Sequence, residues 1–75
     1  MKTVSVPKTL IEMSKLPSVS QKMILLDTIG SHPITPYICD GVVQIMDYHM
    51  KRNDSIEETN NTINHFLVET AKRFG

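Results

Sequence analysis

Two long helices joined by a very short turn are predicted by residues 35–74, TPYICDGVVQIMDYHMKRNDSIEETNNTINHFLVETAKRF. Thr35 followed by Pro36 is a typical helix start, because threonine caps the first turn and proline needs no N–H there. A single solvated stripe, with polar residues at helical spacing, then follows at Asp40, Gln44, Asp47 and Lys51. The pattern predicts a helix over about 36–52 with an unusually broad apolar face.

The next helix begins with a capping box, Ser55-Ile56-Glu57-Glu58, whose acidic residues suit the positive end of the helix dipole. Its apolar side recurs as one narrow seam at Ile56, Thr59, Ile63, Phe66, Leu67, Thr70 and Phe74. We expect a helix over about 56–74. Because only Asn53 and Asp54 separate it from the preceding helix, the pair should form an antiparallel hairpin.

The same arrangement makes a prediction about charge. In an antiparallel hairpin Lys51 and Arg52 lie near the acidic start of the last helix, Glu57 and Glu58. Lys72 and Arg73 would then lie near Asp40. Such exposed pairs each contribute at most about 1 kcal/mol, so they indicate register more than stability.

The first half of the chain predicts two shorter helices. Pro7 suits the first turn of a helix that Pro17 must end, which places it over about 7–16. Ser18 and Gln21 form a second capping box, and Gly30 supplies the stop of a helix over about 19–30. The chain is therefore expected to be one all-α domain over 1–75, a small bundle of about four helices. The third helix should supply most of the core.

Composition narrows the class of protein. The 75 residues carry 8 basic and 8 acidic side chains, and this neutral balance disfavours binding to nucleic acid. No segment approaches the roughly 20 apolar residues of a membrane span. The single cysteine, Cys39, rules out an internal disulfide and suits a reducing compartment, so a cytoplasmic location is expected. A domain this short is marginally stable, which favours self-association as a homodimer.

Residues that could carry chemistry are few and scattered. His65 and Glu69 share a helical face, but a surface pair is the favoured interpretation, and Cys39 is expected to be structural. The glycines are too far apart to form a phosphate-binding loop. We expect no catalytic residues, no cofactor and no metal site.

The broad apolar face of the third helix has two interpretations. It can be buried because that helix is central, or part of it can stay exposed to bind a partner. Methionine suits the second, because its flexible side chain adapts to different shapes. Gly41 has a similar ambiguity, since a glycine there either admits a close neighbour or is merely tolerated. The candidate partner-binding residues are Gly41, Ile45, Met46, His49 and Met50.

The favoured function is therefore a small non-enzymatic regulator that binds another protein as an inhibitor, antagonist or adaptor. The single alanine and the abundance of Ile, Lys, Asn, Ser and Thr are typical of AT-rich coding, as in low-GC bacteria or their phages. The alternative is a small DNA-binding transcriptional repressor. It is disfavoured because a helix-turn-helix arrangement would present Asp40 to the DNA rather than a basic residue.

Overall fold

The computed structural model describes residues 5–30 and 32–74, which form four α-helices and no strand, so the all-α prediction is confirmed. The helices, with their bounds, are α1 (Val6–Ser14), α2 (Val19–Leu26), α3 (Ile34–Lys51) and α4 (Ile56–Phe74). The molecule is elongated, measuring 44 × 22 × 20 Å along its principal axes.

The hairpin of α3 and α4 is antiparallel, as predicted. Asn53 adopts a left-handed conformation, with φ +59°. Its N–H donates to Met50 O at 3.1 Å, and the Asp54 N–H donates to His49 O at 3.0 Å. This pair of bonds is a Schellman motif with asparagine in place of the usual glycine. Ser55 Oγ then accepts the Glu58 N–H at 3.1 Å and starts α4.

The start of α3 differs from the prediction. The helix begins at Ile34, two residues early, because the imidazole of His32 caps it: the Ile34 N–H donates to His32 Nδ1 at 3.1 Å. The hydroxyl of Thr35 is not the cap and donates instead to Gly30 O at 3.1 Å. A histidine acceptor lies outside the usual set of capping residues, so the sequence pattern gave no sign of it.

The first two helices are shorter than predicted. α1 ends at Ser14 rather than residue 16. α2 ends at Leu26, where a 3-10 turn, Asp27–Ile29, continues to the left-handed Gly30. The Ser18 cap forms, with the Gln21 N–H donating to Ser18 Oγ at 3.2 Å.

The helices at the centre of the packing are α1 and α4 rather than α3. α1 packs more extensively against α4 than any other helix pair does, and α2 rests on α1. Helices α1, α3 and α4 each supply three members of the buried apolar core: Val6, Leu10, Met13, Ile34, Ile38, Val42, Ile63, Leu67 and Ala71. The expectation that the third helix supplies most of the core is therefore wrong. Periodicity measures how apolar a face is, but it does not say which neighbour covers it.

The connection between α1 and α2 is fixed by two side chains. Asn60 of α4 donates from Nδ2 to Pro17 O at 2.8 Å. Lys22 is fully buried, and its ammonium donates to Leu16 O. Burial lowers the pKa of Lys22, because desolvation penalises the charged form. Lys22 therefore links the first turn of α2 to the residue before Pro17.

The predicted ion pairs across the hairpin are not found among residues 5–30 and 32–74. Lys51 pairs with Asp47 at 3.0 Å, and Lys72 pairs with Glu69 at 3.0 Å. Asp40 accepts instead from Gln44 Nε2 at 2.8 Å. Side chains three or four positions apart on one helix already lie side by side, so local partners prevail over those on a neighbouring helix.

Candidate functional site

A stripe of four apolar side chains along α3 is left incompletely covered by the other helices. We call it the α3 stripe; its members are Cys39, Val43, Met46 and Met50. Val43 and Met50 are 62% and 70% exposed, whereas Cys39 and Met46 are half-buried against the core. α2 makes few contacts with α3, and an opening separates the first turn of α2 from Met46 and Met50.

At the turn end of the hairpin this opening deepens into a groove of about 380 Å³, which we call the turn groove. Met46 and Met50 line it from α3, and Ile56, which is 85% exposed, lines it from the start of α4. The opposite wall is the α1–α2 connection and the first turn of α2, residues 17–20. The lining is mainly apolar, with a few polar groups, which is the usual composition of a binding site.

A buried histidine connects the two helices of the hairpin beside the turn groove. His49 is 8% exposed, and its Nδ1 lies 2.8 Å from Asp54 Oδ2. Its Nε2 lies 2.9 Å from Thr62 Oγ1 on α4. The carboxylate can only accept, so Nδ1 carries a proton. The three side chains join the end of α3, the turn and the second turn of α4 into one unit.

The hydroxyl of Thr62 also lies 3.1 Å from Glu58 O, and it has one proton to give. When that proton goes to Glu58 O, His49 Nε2 is a donor and the ring is doubly protonated. When it goes to His49 Nε2, the ring is the neutral Nδ1–H tautomer. The hydrogen bonds of the network are satisfied in both cases, because the Thr62 hydroxyl can rotate to suit either form of the ring.

The contacts of His49 with Asp54 and Thr62 resemble the acid–base–hydroxyl triad of hydrolytic enzymes. The sequence gave no reason to expect this arrangement. Thr62 lies inside α4, where the surrounding backbone N–H groups bond to the helix's own carbonyls and do not form an oxyanion site. A buried imidazole that hydrogen-bonds to the turn and to the next helix stabilises the hairpin without any catalytic role. We therefore interpret the three side chains as a clasp for the hairpin.

Outside the clasp, Arg52 covers the turn. Its Nε donates to Asp54 Oδ2 at 3.1 Å, and its Nη1 donates to Tyr48 Oη at 2.8 Å. The guanidinium also lies over the Tyr48 ring, 5.2 Å from the centroid. Tyr48 and, to a smaller extent, Asp54 raise the pKa of Arg52. The charge of Asp54 is thus shared between His49 and Arg52.

The structure divides the five predicted site residues into two groups. Met46 and Met50 lie together in the turn groove. Gly41 and Ile45 face the other side of α3, where they line a shallower depression of about 280 Å³ against α4. His49 is buried between the groups and offers little surface to a partner.

Several residues of the site were missed by the sequence patterns. Ile56 was assigned to the core seam of the last helix, but no neighbouring element covers it. Val43 matched the apolar face without being singled out. The wall from residues 17–20 could not be found from sequence, because its position depends on the Asn60–Pro17 bond between distant parts of the chain.

The other residues that were considered for chemistry, His65, Glu69 and Cys39, do not form a common site. Glu69 bonds to Lys72, which lowers the pKa of Glu69, and His65 makes a smaller contribution in the same direction. Cys39 is half-buried in the α3 stripe, as a structural cysteine would be. Across the described part of the chain, no three His, Cys, Asp or Glu side chains gather as metal ligands would.

Comparison with protein-family models, curated proteins and solved structures found no match for this chain. Among the described helices, none has the length and apolar character needed to cross a membrane.

Proposed function

We propose that this chain is a small non-enzymatic regulator that acts by binding another protein through the turn groove. The observation that carries the proposal is the exposure of Met50 and Ile56, at 70% and 85%, on two helices that meet at one apolar groove. Large apolar side chains that line a shared depression are typical of interaction sites, whereas scattered ones are ordinary surface.

The free energy of burying the groove residues also supports the proposed binding. Covering Met50, Ile56 and the half-buried Met46 would remove apolar surface from water, which contributes roughly 25 cal/mol for each Å² buried. The clasp and the Schellman turn join the end of α3 to the start of α4, so the backbone on that side of the groove need not be reordered when a partner binds. The flexible side chains of Met46 and Met50 suit reversible recognition of another protein.

The test is capture of partners from a lysate of the source cells with the purified full chain, followed by mass spectrometry. The groove variant carries Met50→Glu and Ile56→Glu, both at exposed positions where the fold should survive. The matched control is Phe74→Glu, an exposed apolar residue at the opposite end of α4. We expect specific proteins to be captured by the wild type and the control and lost with the groove variant. Equal capture by all three would contradict the proposal.

Self-association and location are further parts of the proposal. We propose that the chain can form a homo-oligomer, which light scattering on the purified protein would measure. A cytoplasmic location stays a prediction that rests on the single cysteine.

The alternative of a DNA-binding repressor gains no support from α3. Residues 34–48 contain two carboxylates and neither lysine nor arginine. A recognition helix usually brings basic side chains to the phosphates; over these residues α3 offers the amide of Gln44 to a base but no lysine or arginine to the phosphates. Salt-dependent retention of the protein on DNA would favour the repressor instead.

A further inference from the structure

Charge is unevenly distributed along the molecule. The chain as a whole is neutral, but residues 40–58 contain five carboxylates and only two lysine or arginine side chains. The five carboxylates are Asp40, Asp47, Asp54, Glu57 and Glu58. These residues form most of α3, the turn and the start of α4, so the end of the hairpin that holds the turn groove is acidic.

Most of this negative charge is available to a partner. Asp54 is shared between His49 and Arg52, as described above. Asp47 pairs with Lys51, but the two side chains are 59% and 76% exposed. Such a pair is worth little and can exchange partners readily. Within residues 5–30 and 32–74, neither Glu57 nor Glu58 forms an ion pair with a basic side chain.

The α3 stripe has the spacing that a helical partner requires. Its members are separated by four, three and four residues, the repeat by which two helices pack along a common seam. From Cys39 to Met50 the stripe spans about 17 Å, or about three helical turns. Asp40 and Asp47 each directly follow a stripe residue, Cys39 and Met46, and so border the seam on its solvent side.

We propose that the partner segment is an amphipathic helix of another protein that carries lysine or arginine beside its apolar face. This inference rests on the proposed function and names the chemistry of its partner. The apolar side chains of that helix would lie along the α3 stripe and in the turn groove, and its basic residues would face the acidic border. A second copy of this chain fits less well, because two such faces would bring like charges together.

The test uses the full chain and a display library of helical peptides with randomised apolar and flanking positions. Selected peptides should show apolar residues at helical spacing flanked by lysine or arginine, and their affinity should fall as salt is raised. Replacing Asp47 and Glu57 together by lysine should weaken binding at least tenfold. The matched control replaces Glu12 and Glu69 by lysine; these exposed residues lie outside the groove, and affinity should be retained.

Other outcomes overturn the inference. Selected peptides without basic residues, or with affinities that are the same for the two lysine variants, would show that charge does not define the partner. If the lysate capture still depends on Met50 and Ile56, the proposed function stands and only the basic helix is rejected. A homodimer that Met50→Glu converts to monomer would make a second copy the occupant.

Discussion

The ring of Phe66 lies directly on Gly41. A Cβ atom added at residue 41 would stand 2.3 Å from Phe66 Cζ and 2.7 Å from Cε2, well inside contact distance. The ring of Tyr37 flanks the same aromatic side chain, with the centroids 5.7 Å apart. The glycine in the middle of α3 therefore admits a side chain of α4, so its place among the candidate partner-binding residues has an intramolecular explanation.

This contact makes the effect of Gly41→Ala depend on Phe66. Alanine favours the helix by about 1 kcal/mol relative to glycine. Overpacking against the ring opposes this and typically costs about 1–3 kcal/mol. We expect Gly41→Ala to lower the free energy of unfolding by about 1 kcal/mol in the wild type. In the Phe66→Ala background it should raise that free energy, because only the helix preference remains. Urea unfolding of the four proteins measures the difference, and the same effect in both backgrounds would contradict the assignment.

The clasp predicts that His49 matters far more than the other histidine on the hairpin. His49→Ala removes two hydrogen bonds and leaves Asp54 with Arg52 alone and Thr62 with Glu58 O alone, which should cost about 1–3 kcal/mol of unfolding free energy. Thr62→Ser keeps the hydroxyl and should cost less than Thr62→Val. The control is His65→Ala at an exposed position, with little expected effect. Thermal unfolding would measure all four, and equal losses at His49 and His65 would reject the clasp.

The parts of the fold that were predicted correctly are those encoded locally. The hairpin turn follows from Asn53 and the Ser55 capping box, because both signals act within a few residues. The His32 cap and the central packing of α1 against α4 were missed. The first is an unusual acceptor for a helix start, and the second depends on which face meets which in three dimensions.

The candidate site, too, was predicted only in part from the sequence. Met46 and Met50 were predicted from the excess of apolar residues on one helix, and both lie in the turn groove. Ile56 matched the apolar seam of its own helix equally well, yet nothing packs over it. Periodicity identifies an apolar face, but only the packing of other helices decides whether that face is core or surface.

The central packing of α1 against α4 can be tested by shortening one side chain on α1 and one on α3. Leu10 is fully buried on α1, so Leu10→Ala should cost about 2–5 kcal/mol and leave a small domain close to unfolded. Val43 lies on α3, where the apolar face was expected to be core, but it is 62% exposed. Val43→Ala should therefore change the stability by less than about 0.5 kcal/mol. Denaturant midpoints would show the contrast, and a large loss at Val43 would restore α3 as the centre.

The buried Lys22 predicts a dependence of stability on pH in the alkaline range. Its pKa in the folded chain is lowered from 10.5 by desolvation, so between the two values the unfolded chain binds more protons than the folded chain. Stability contributed by this group therefore rises as the pH increases toward 10.5. Lys22→Met keeps the aliphatic stem but removes both the titrating group and the donor to Leu16 O. Its effect on stability at pH 7 can therefore have either sign.

The change of stability with pH has only one expected sign. Between pH of about 7 and about 10, the unfolding free energy of the wild type should rise relative to that of the variant. The exposed Lys15→Met serves as the control and should follow the wild type. Parallel curves for the wild type and Lys22→Met would mean that the Lys22 ammonium is as well solvated in the folded chain as in the unfolded one.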